Sequence, residues 1–331
     1  MKKIEFKKVL FIRIGAIGDV IHTLNGPRAI KELYPNIEIH YASSMPEDFL
    51  KYTPCIDKAI SMPDIKKMGL FSKSMKDFAQ TLRNENYDVV INLQPSIKTR
   101  VLARLAGIKN IYNYRKRNCR HAVKDYWLTA KRAFPNITLP NNLEFTLAPE
   151  LMNEQRTKLE NLKKPLIVFN SGHVFAKRQG RTYPIENWIE LGNKVQEKYN
   201  GTIIITGVKA DAEILKPLEQ IKNSVSFVDK LTLEENSALL GCADLVVSGD
   251  SGPLHIASAL GVKVLGLFGS MPITRTGPYG ENCHTIISPK NCSPCNRRKC
   301  KYLRKTKALY APCMKEIEVD TIFNKICEIL G

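Results

Sequence analysis

Two short stretches carry the residue types that chemistry needs. The first is VLFIRIGAIGDVIHTL, residues 9 to 24. Val9 to Ile12 reads as a buried strand, Gly15, Ala16 and Gly18 loosen the backbone, and Asp19 stands where the next helix begins. A carboxylate there either caps the helix or is aimed at something that reacts. His22 follows one turn along the same helix face. The second stretch is DLVVSGDSGPLHIASALGV, residues 244 to 262. A buried strand runs into Ser248–Gly252, and Pro253 is expected at the first helical position, where its missing N–H costs nothing. Asp250 or Ser251 can cap this helix, and Gly252 lets a ligand come close to the backbone. Free amides and a positive dipole end after a parallel strand suit a phosphate, and His255 falls in the first turn. A further loop, FGSMPITRTGPYG (268–280), contains Gly269 and Arg275 and is expected to open on the same sheet edge. A plain strand–turn–helix with a cap is the simpler explanation of Ser248–Gly252 taken alone. No G-x-G-x-x-G follows the first strand and no P-loop pattern occurs, which disfavours a dinucleotide-dependent oxidoreductase.

Strands and helices must hold these stretches in place, and the chain alternates between them. The expected elements are a helix from about Asp19 to Leu33, a strand at 37–43, a helix from about Lys73 to Asn84, a strand at 87–94 and a helix at 96–107 closed by Gly107. Residues 133 to 164 lose this pattern, and the domain boundary is placed at about 160. A second half repeats the plan: strand 165–172, helix 184–199, strand 202–207, a helix from about Asp211 to Ile221, and strand 224–230. The helical stretch LTLEENSALLGCA (231–243) follows, opened by Thr232 and Glu235 at capping-box spacing. Such alternation predicts α/β domains with parallel sheets covered by helices. The expected division is 1–160, 161–315 and a closing amphipathic helix within 316–331. Two domains of this kind, facing each other, create a cleft for a ligand.

Composition narrows the partners. The chain has 331 residues and a net charge of +18. Eleven Lys or Arg stand against one acidic residue between Lys98 and Arg132, and eight basic residues with no acidic one lie between Lys290 and Lys307. A field of that size favours nucleic acid, an anionic membrane surface or phosphorylated substrates. No apolar run approaches the ~20 residues of a membrane span, and Arg13 and Asp19 break the one stretch that imitates an export signal. A cytoplasmic location with reduced thiols is therefore expected. Cys292, Cys295, Cys300 and Cys313 supply enough thiolates for a tetrahedral zinc site. Their spacing is only partly regular, so packing thiols are the preferred reading and a structural metal the alternative.

The pieces IRIGAIGDVIHTL, YDVVINLQ, the Arg181–Pro184 segment before ENWIELG, ADLVVSGDSGPLHIASALGVKVLGLFG and CSPCNRRKC…PCMKEI occur in order across nearly the whole chain. In these it resembles the heptosyltransferase family, glycosyltransferase family nine, whose members build the inner core of lipopolysaccharide. The resemblance implies a GT-B architecture, with two Rossmann-like domains and inverting transfer without a metal or cofactor. The acceptor would be bound by the N-terminal domain and a nucleotide-sugar, ADP-heptose, by the C-terminal one. It implies that Asp19, of the pair Gly18–Asp19, is the catalytic base, a role compatible with a cap. Ser171, Gly172, Lys177, Arg181, Asp250, Ser251, Gly252, His255 and Gly269 are then expected around the donor, and Asp211 or Glu213 on its ribose. Arg181 stands where the family usually has lysine, Tyr183–Pro184 where it usually has Trp–Pro, and Asn25 where it usually has proline. Gly18, His22, Lys98, Arg100 and Arg120 are expected to face a phosphorylated lipid A–Kdo acceptor at the inner leaflet of the cytoplasmic membrane. The closing helix typically crosses back to the first domain in GT-B proteins. The rivals are a related transferase with another donor or a later core acceptor, and a non-catalytic binder of anionic membrane or nucleic acid; no nucleic-acid partner is expected.

Overall fold

The computed structural model describes residues 6–65, 67–116, 120–171, 180–297, 299–306 and 308–331. The chain forms two compact units, Met1–Ala148 and Pro149–Gly331.

The first unit is built on a parallel sheet of five strands: β1 (Lys8–Ile12), β2 (Glu38–Ser43), β3 (Lys58–Ser61), β4 (Val89–Asn92) and β5 (Asn110–Asn113), in the order β3-β2-β1-β4-β5. Val9, Leu10, Phe11 and Ile12 are all fully buried, as a central strand covered on both faces requires. Leu10 and Ile12 join a core with Met75, Ala79 and Leu82, while Phe11 stacks on Tyr41 on the opposite face. The helices are α1 (Ile17–Thr23), α2 (Asn25–Leu33), α3 (Glu47–Leu50), α4 (Lys73–Asn84), α5 (Ile97–Leu105) and α6 (Ala122–Lys131). The single helix expected over 19–33 is two helices that meet at Leu24. Pro27 explains the break, because it has no N–H for the carbonyl of Thr23 and its ring would crowd that oxygen. Asn25 is buried, and its amide donates to the Val123 carbonyl at 2.7 Å, tying this corner to α6. Gly107 closes α5 at a φ of +77°, a conformation that favours glycine.

The second unit carries a parallel sheet of six strands: β6 (Leu166–Asn170), β7 (Thr202–Ile205), β8 (Ser224–Ser226), β9 (Leu245–Gly249), β10 (Val264–Phe268) and β11 (Cys283–Ile287), ordered β11-β10-β9-β6-β7-β8. Its longer helices are α7 (Pro149–Leu159), α8 (Ile185–Tyr199), α9 (Leu233–Gly241), α10 (Gly252–Ala259) and α11 (Val319–Leu330). Thr232 and Glu235 form the expected capping box at the start of α9. The helix expected over 211–221 is broken into a turn of α-helix at Ala212–Leu215 between two 3-10 turns, since Pro217 removes a donor.

Two expectations about domain limits are corrected. Residues 149–159 form α7, which packs on α9, so the first unit ends at Ala148 and not near 160. The closing helix α11 is not a separate segment but part of the second unit, which runs to Gly331. Its apolar stripe of Ile322, Ile326 and Ile329 is buried in the second unit's core with Leu191 and Val195 of α8.

Candidate functional site

Ligands of open parallel sheets bind beyond the carboxyl ends of the strands, where the strand order reverses. In the first sheet that point lies between β1 and β4, and in the second between β6 and β9. The segments that follow β1, β6 and β9 are the ones that contain Asp19, Ser171 and Asp250–Gly252.

At the outlet of β1 the cap explanation for Asp19 fails. Asp19 is the third residue of α1, and Ala16, at the N-cap, provides no side-chain cap. The carboxylate is held by side chains instead. Its Oδ2 lies 2.5 Å from Nη2 of Arg13, and its Oδ1 accepts from the Tyr126 hydroxyl at 2.9 Å. Arg13 is buried and anchored by Nη1, which donates to the Leu93 carbonyl at 2.9 Å. Its guanidinium carbon sits 5.3 Å from the centre of the Tyr126 ring, within cation–π range. Burial pushes the Tyr126 phenol well above its ordinary range despite the opposing pull of Arg13, so the ring donates as a neutral hydroxyl. Asp19 itself stays 38% exposed in its side chain beside an arginine at 7%. One edge of the carboxylate is thus fixed and the other open.

His22 lies one turn beyond Asp19 on α1. Its ring is buried and meets that of His121, at 5.3 Å between centroids. Lys98, expected to face an acceptor, turns its ammonium to the carbonyls of Ile65 (3.1 Å) and Met68 (2.6 Å), so it fastens the loop after β3. Arg100 is exposed on α5. Arg120 lines a cavity of about 190 Å³ with Arg115, Asp125, Leu128, Thr129 and Arg132. Burial, then the neighbouring Arg115, lowers the Arg132 pKa. Gly18 lies on the first turn of α1 beside Asp19.

In the second unit the start of α10 is arranged differently from the expectation. Gly252 is the first helical residue and Pro253 the second, and Ser251 at the N-cap makes no side-chain cap. The Ser251 hydroxyl pairs with that of Ser248 at 2.8 Å, and Ser248 reaches Asn170 at 3.3 Å. Asp250 does not cap either. One of its oxygens lies 3.0 Å from Nη1 of Arg181 and the other 3.6 Å from Nε2 of His255. Among the described residues, the side chains that would cap this N-terminus are therefore engaged elsewhere, and an uncapped helix start has the chemistry that suits an anion. Gly249 makes the approach of Arg181 possible, since a Cβ there would stand 2.8 Å from the Arg181 carbonyl. Tyr183 is buried against Trp188, and its hydroxyl donates to the Ile317 carbonyl at 2.8 Å. It thus keeps the packing role of the aromatic–proline pair.

Ser171 is buried directly after β6. Gly172 and Lys177 lie outside the described residues. Asp211 is buried and accepts from the Val208 N–H within its own turn, whereas Glu213 is exposed two residues on. Gly269 owes its identity to packing: a Cβ would meet Met314 Sδ at 2.6 Å and Cys313 Sγ at 2.9 Å. Among the described residues no group of three or more His, Cys, Asp or Glu is placed to hold an ion. Cys313 is buried, and burial first, then the neighbouring thiols of Cys292, Cys300 and Cys295, push its thiol up to about 11.

Arg13, Tyr126, Ser248 and Asn170 were not among the expected site residues. Tyr126 had a readable signal, because Val123, Tyr126, Trp127 and Ala130 recur at helical spacing inside the basic run. Arg13 had a weaker one, as a charge at the end of a buried strand.

Two parallel-sheet α/β units, each with a ligand-competent switch point, are the architecture of glycosyltransferases of GT-B fold. The description of glycosyltransferase family 9 (heptosyltransferase) matches residues 75–306, and the chain belongs to that family. It is 24% identical to the lipopolysaccharide core heptosyltransferase OpsX of Haemophilus influenzae, over 85% of this chain and 84% of that one. A family 9 glycosyltransferase from Veillonella parvula superposes with a TM-score of 0.83 at 19% identity, covering 99% of this chain and 98% of the other. The ADP-heptose lipopolysaccharide heptosyltransferase II of Escherichia coli gives 0.77 at 18% identity, with 98% of each chain covered. Among the described residues no helix is long and apolar enough to cross a membrane.

Proposed function

We propose that the protein is an inverting, metal-independent heptosyltransferase that moves a heptose from ADP-heptose to the phosphorylated lipid A–Kdo inner core of lipopolysaccharide, at the inner face of the cytoplasmic membrane. The observation that carries this reading is the carboxylate of Asp19, fixed along one edge and exposed along the other at the β1–β4 switch point. Asp19 takes the proton of the attacking sugar hydroxyl as its oxygen forms the new bond to the anomeric carbon. The bond from that carbon to the diphosphate oxygen breaks, and ADP leaves with the electron pair. The amides at Ser251 and Gly252 and the guanidinium of Arg181 meet the charge that builds on the diphosphate. Glu213, exposed beyond β7, is the better candidate for the ribose hydroxyls than Asp211, whose carboxylate is committed to its own turn. The names of the relatives support the sugar and the pathway.

The experiment is a panel of nucleotide-sugars scored by thermal unfolding, joined to transfer assays of Asp19→Asn. A ligand at about 100 times its Kd stabilises by about 2.7 kcal/mol. ADP-heptose and ADP are expected to raise the melting temperature, other nucleotides to leave it unchanged, and Asp19→Asn to keep ADP binding while losing turnover. No shift with any nucleoside diphosphate, or full turnover in the variant, overturns the reading.

A further inference from the structure

We infer that Arg13 and Tyr126 are positioning residues that hold the Asp19 carboxylate in one orientation for proton abstraction. The inference rests on the assignment of Asp19 as base and adds the residues that make it effective.

Asp19 lies on a short helix after a glycine-rich turn, and its side chain is 38% exposed. Left alone, such a carboxylate samples several rotamers. Here each oxygen is tethered once, Oδ2 to Arg13 at 2.5 Å and Oδ1 to Tyr126 at 2.9 Å. An ionised carboxylate has about four acceptor positions, so two remain for an incoming hydroxyl. Both tethers are themselves immobile. Arg13 is fixed by its bond to the Leu93 carbonyl and its backbone bond to the Ala42 carbonyl at 3.0 Å. Tyr126 is buried on α6, with its ring 4.9 Å from that of Tyr114. Helix α6 in turn starts on the His121 ring, which accepts from the Val123 N–H at 3.3 Å. The carboxylate is thereby gripped between the outlet of the central strand and a helix more than a hundred residues away (|i−j| = 107). A misplacement of about 1 Å in a reacting group costs on the order of 100-fold in rate, which is why a base on a short helix gains from two anchored partners.

The test measures transfer from ADP-heptose to deacylated lipid A–Kdo, followed by ADP release, in Tyr126→Phe, Arg13→Lys and Arg13→Met. Tyr126→Phe is expected to lower kcat by about tenfold with the acceptor KM and the Kd for ADP within twofold of wild type. Arg13→Met is expected to lose about 100-fold and Arg13→Lys to recover part of it, since lysine restores the charge without the fork. In an Asp19→Glu background, where the longer arm has already left its tethers, adding Tyr126→Phe should slow turnover no further. A role confined to stability would raise KM or lower the melting temperature and would add to Asp19→Glu. The inference is overturned if Tyr126→Phe keeps kcat within twofold while Asp19→Asn is inactive, or if the two changes add fully. Should Arg13→Met fail to fold, Tyr126→Phe decides alone. Wild-type turnover in Asp19→Asn would instead sink the assignment of the base.

Discussion

Replacing Arg181 by Met removes one charge while keeping most of its side-chain length, and the pair it leaves behind fixes the size of the effect. The Arg181 and Asp250 atoms are 3.0 Å apart, with the carboxylate 7% and the guanidinium 24% exposed. At an effective dielectric of about 20 the gross attraction at that distance is about 5.5 kcal/mol, much of it offset by the desolvation of both ions. Losing one partner of a buried pair costs about 3–5 kcal/mol. Arg181 reaches solvent, so the loss falls below that range, at about 2–3 kcal/mol. For a unit of this size each kcal/mol is about 2–4 °C in Tm, which predicts a fall of about 4–12 °C. Adding Asp250→Asn removes the stranded carboxylate and should restore more than half of that loss. Affinity for ADP should fall by about 10- to 100-fold in Arg181→Met, the worth of a hydrogen bond to a charged group, about 1.5–3 kcal/mol. Thermal unfolding and calorimetric titration with ADP, run on both singles and the double, measure all of this. Independent, additive losses in Tm would refute the coupling, and an unchanged Kd for ADP would refute the placement of the diphosphate.

Three further outcomes are expected. Gly249→Ala puts a Cβ 2.8 Å from the Arg181 carbonyl and should destabilise by about 1–3 kcal/mol while weakening ADP, measured by urea unfolding and titration. Hydrogen bonds from Lys58 and then Lys8 hold Glu85 down at about 2 against an ordinary 4.5. A depressed carboxylate contributes stability that is complete above the ordinary value and is lost as pH falls toward 2, so the urea-midpoint gap between wild type and Glu85→Gln should shrink between pH 6 and pH 3. Cys55, buried and pushed up to about 12 chiefly by that burial, should resist iodoacetamide in the folded protein while the exposed Cys292 reacts, as read by mass spectrometry of the peptides.

The strands were readable because a strand covered on both faces is a short apolar run, and Val9–Ile12, Leu166–Phe169 and Leu245–Val247 are such runs. The edge strands β3, β5 and β11 were not, since each carries polar or half-exposed residues where the pattern should be. Helix α6 was hidden by its charge: the basic run around it drew attention as a surface, although its apolar residues keep helical spacing. Tethers such as Tyr126 to Asp19 leave no local trace in any sequence, because the two residues meet only after four strands have been laid side by side.

Strand order explains the rest. Periodicity places strands along the chain but does not say which are neighbours, and it is the neighbours that decide which loop faces a ligand. The outlets of β1 and β9 adjoin the reversals at β4 and β6, and there the polar groups Asp19, Asp250 and Ser251 are kept from capping their own helices. The outlet of β10 is one strand further out, and its glycine-rich loop, which looked equally promising, is consumed by packing. Gly269 is wedged against Cys313 and Met314, Arg275 is buried, and the Ser293 hydroxyl takes the Gly269 carbonyl at 2.6 Å. Two loops of similar composition thus come to opposite ends, one leading into a helix start without a side-chain cap and one taken up by packing, through a difference of one place in the sheet.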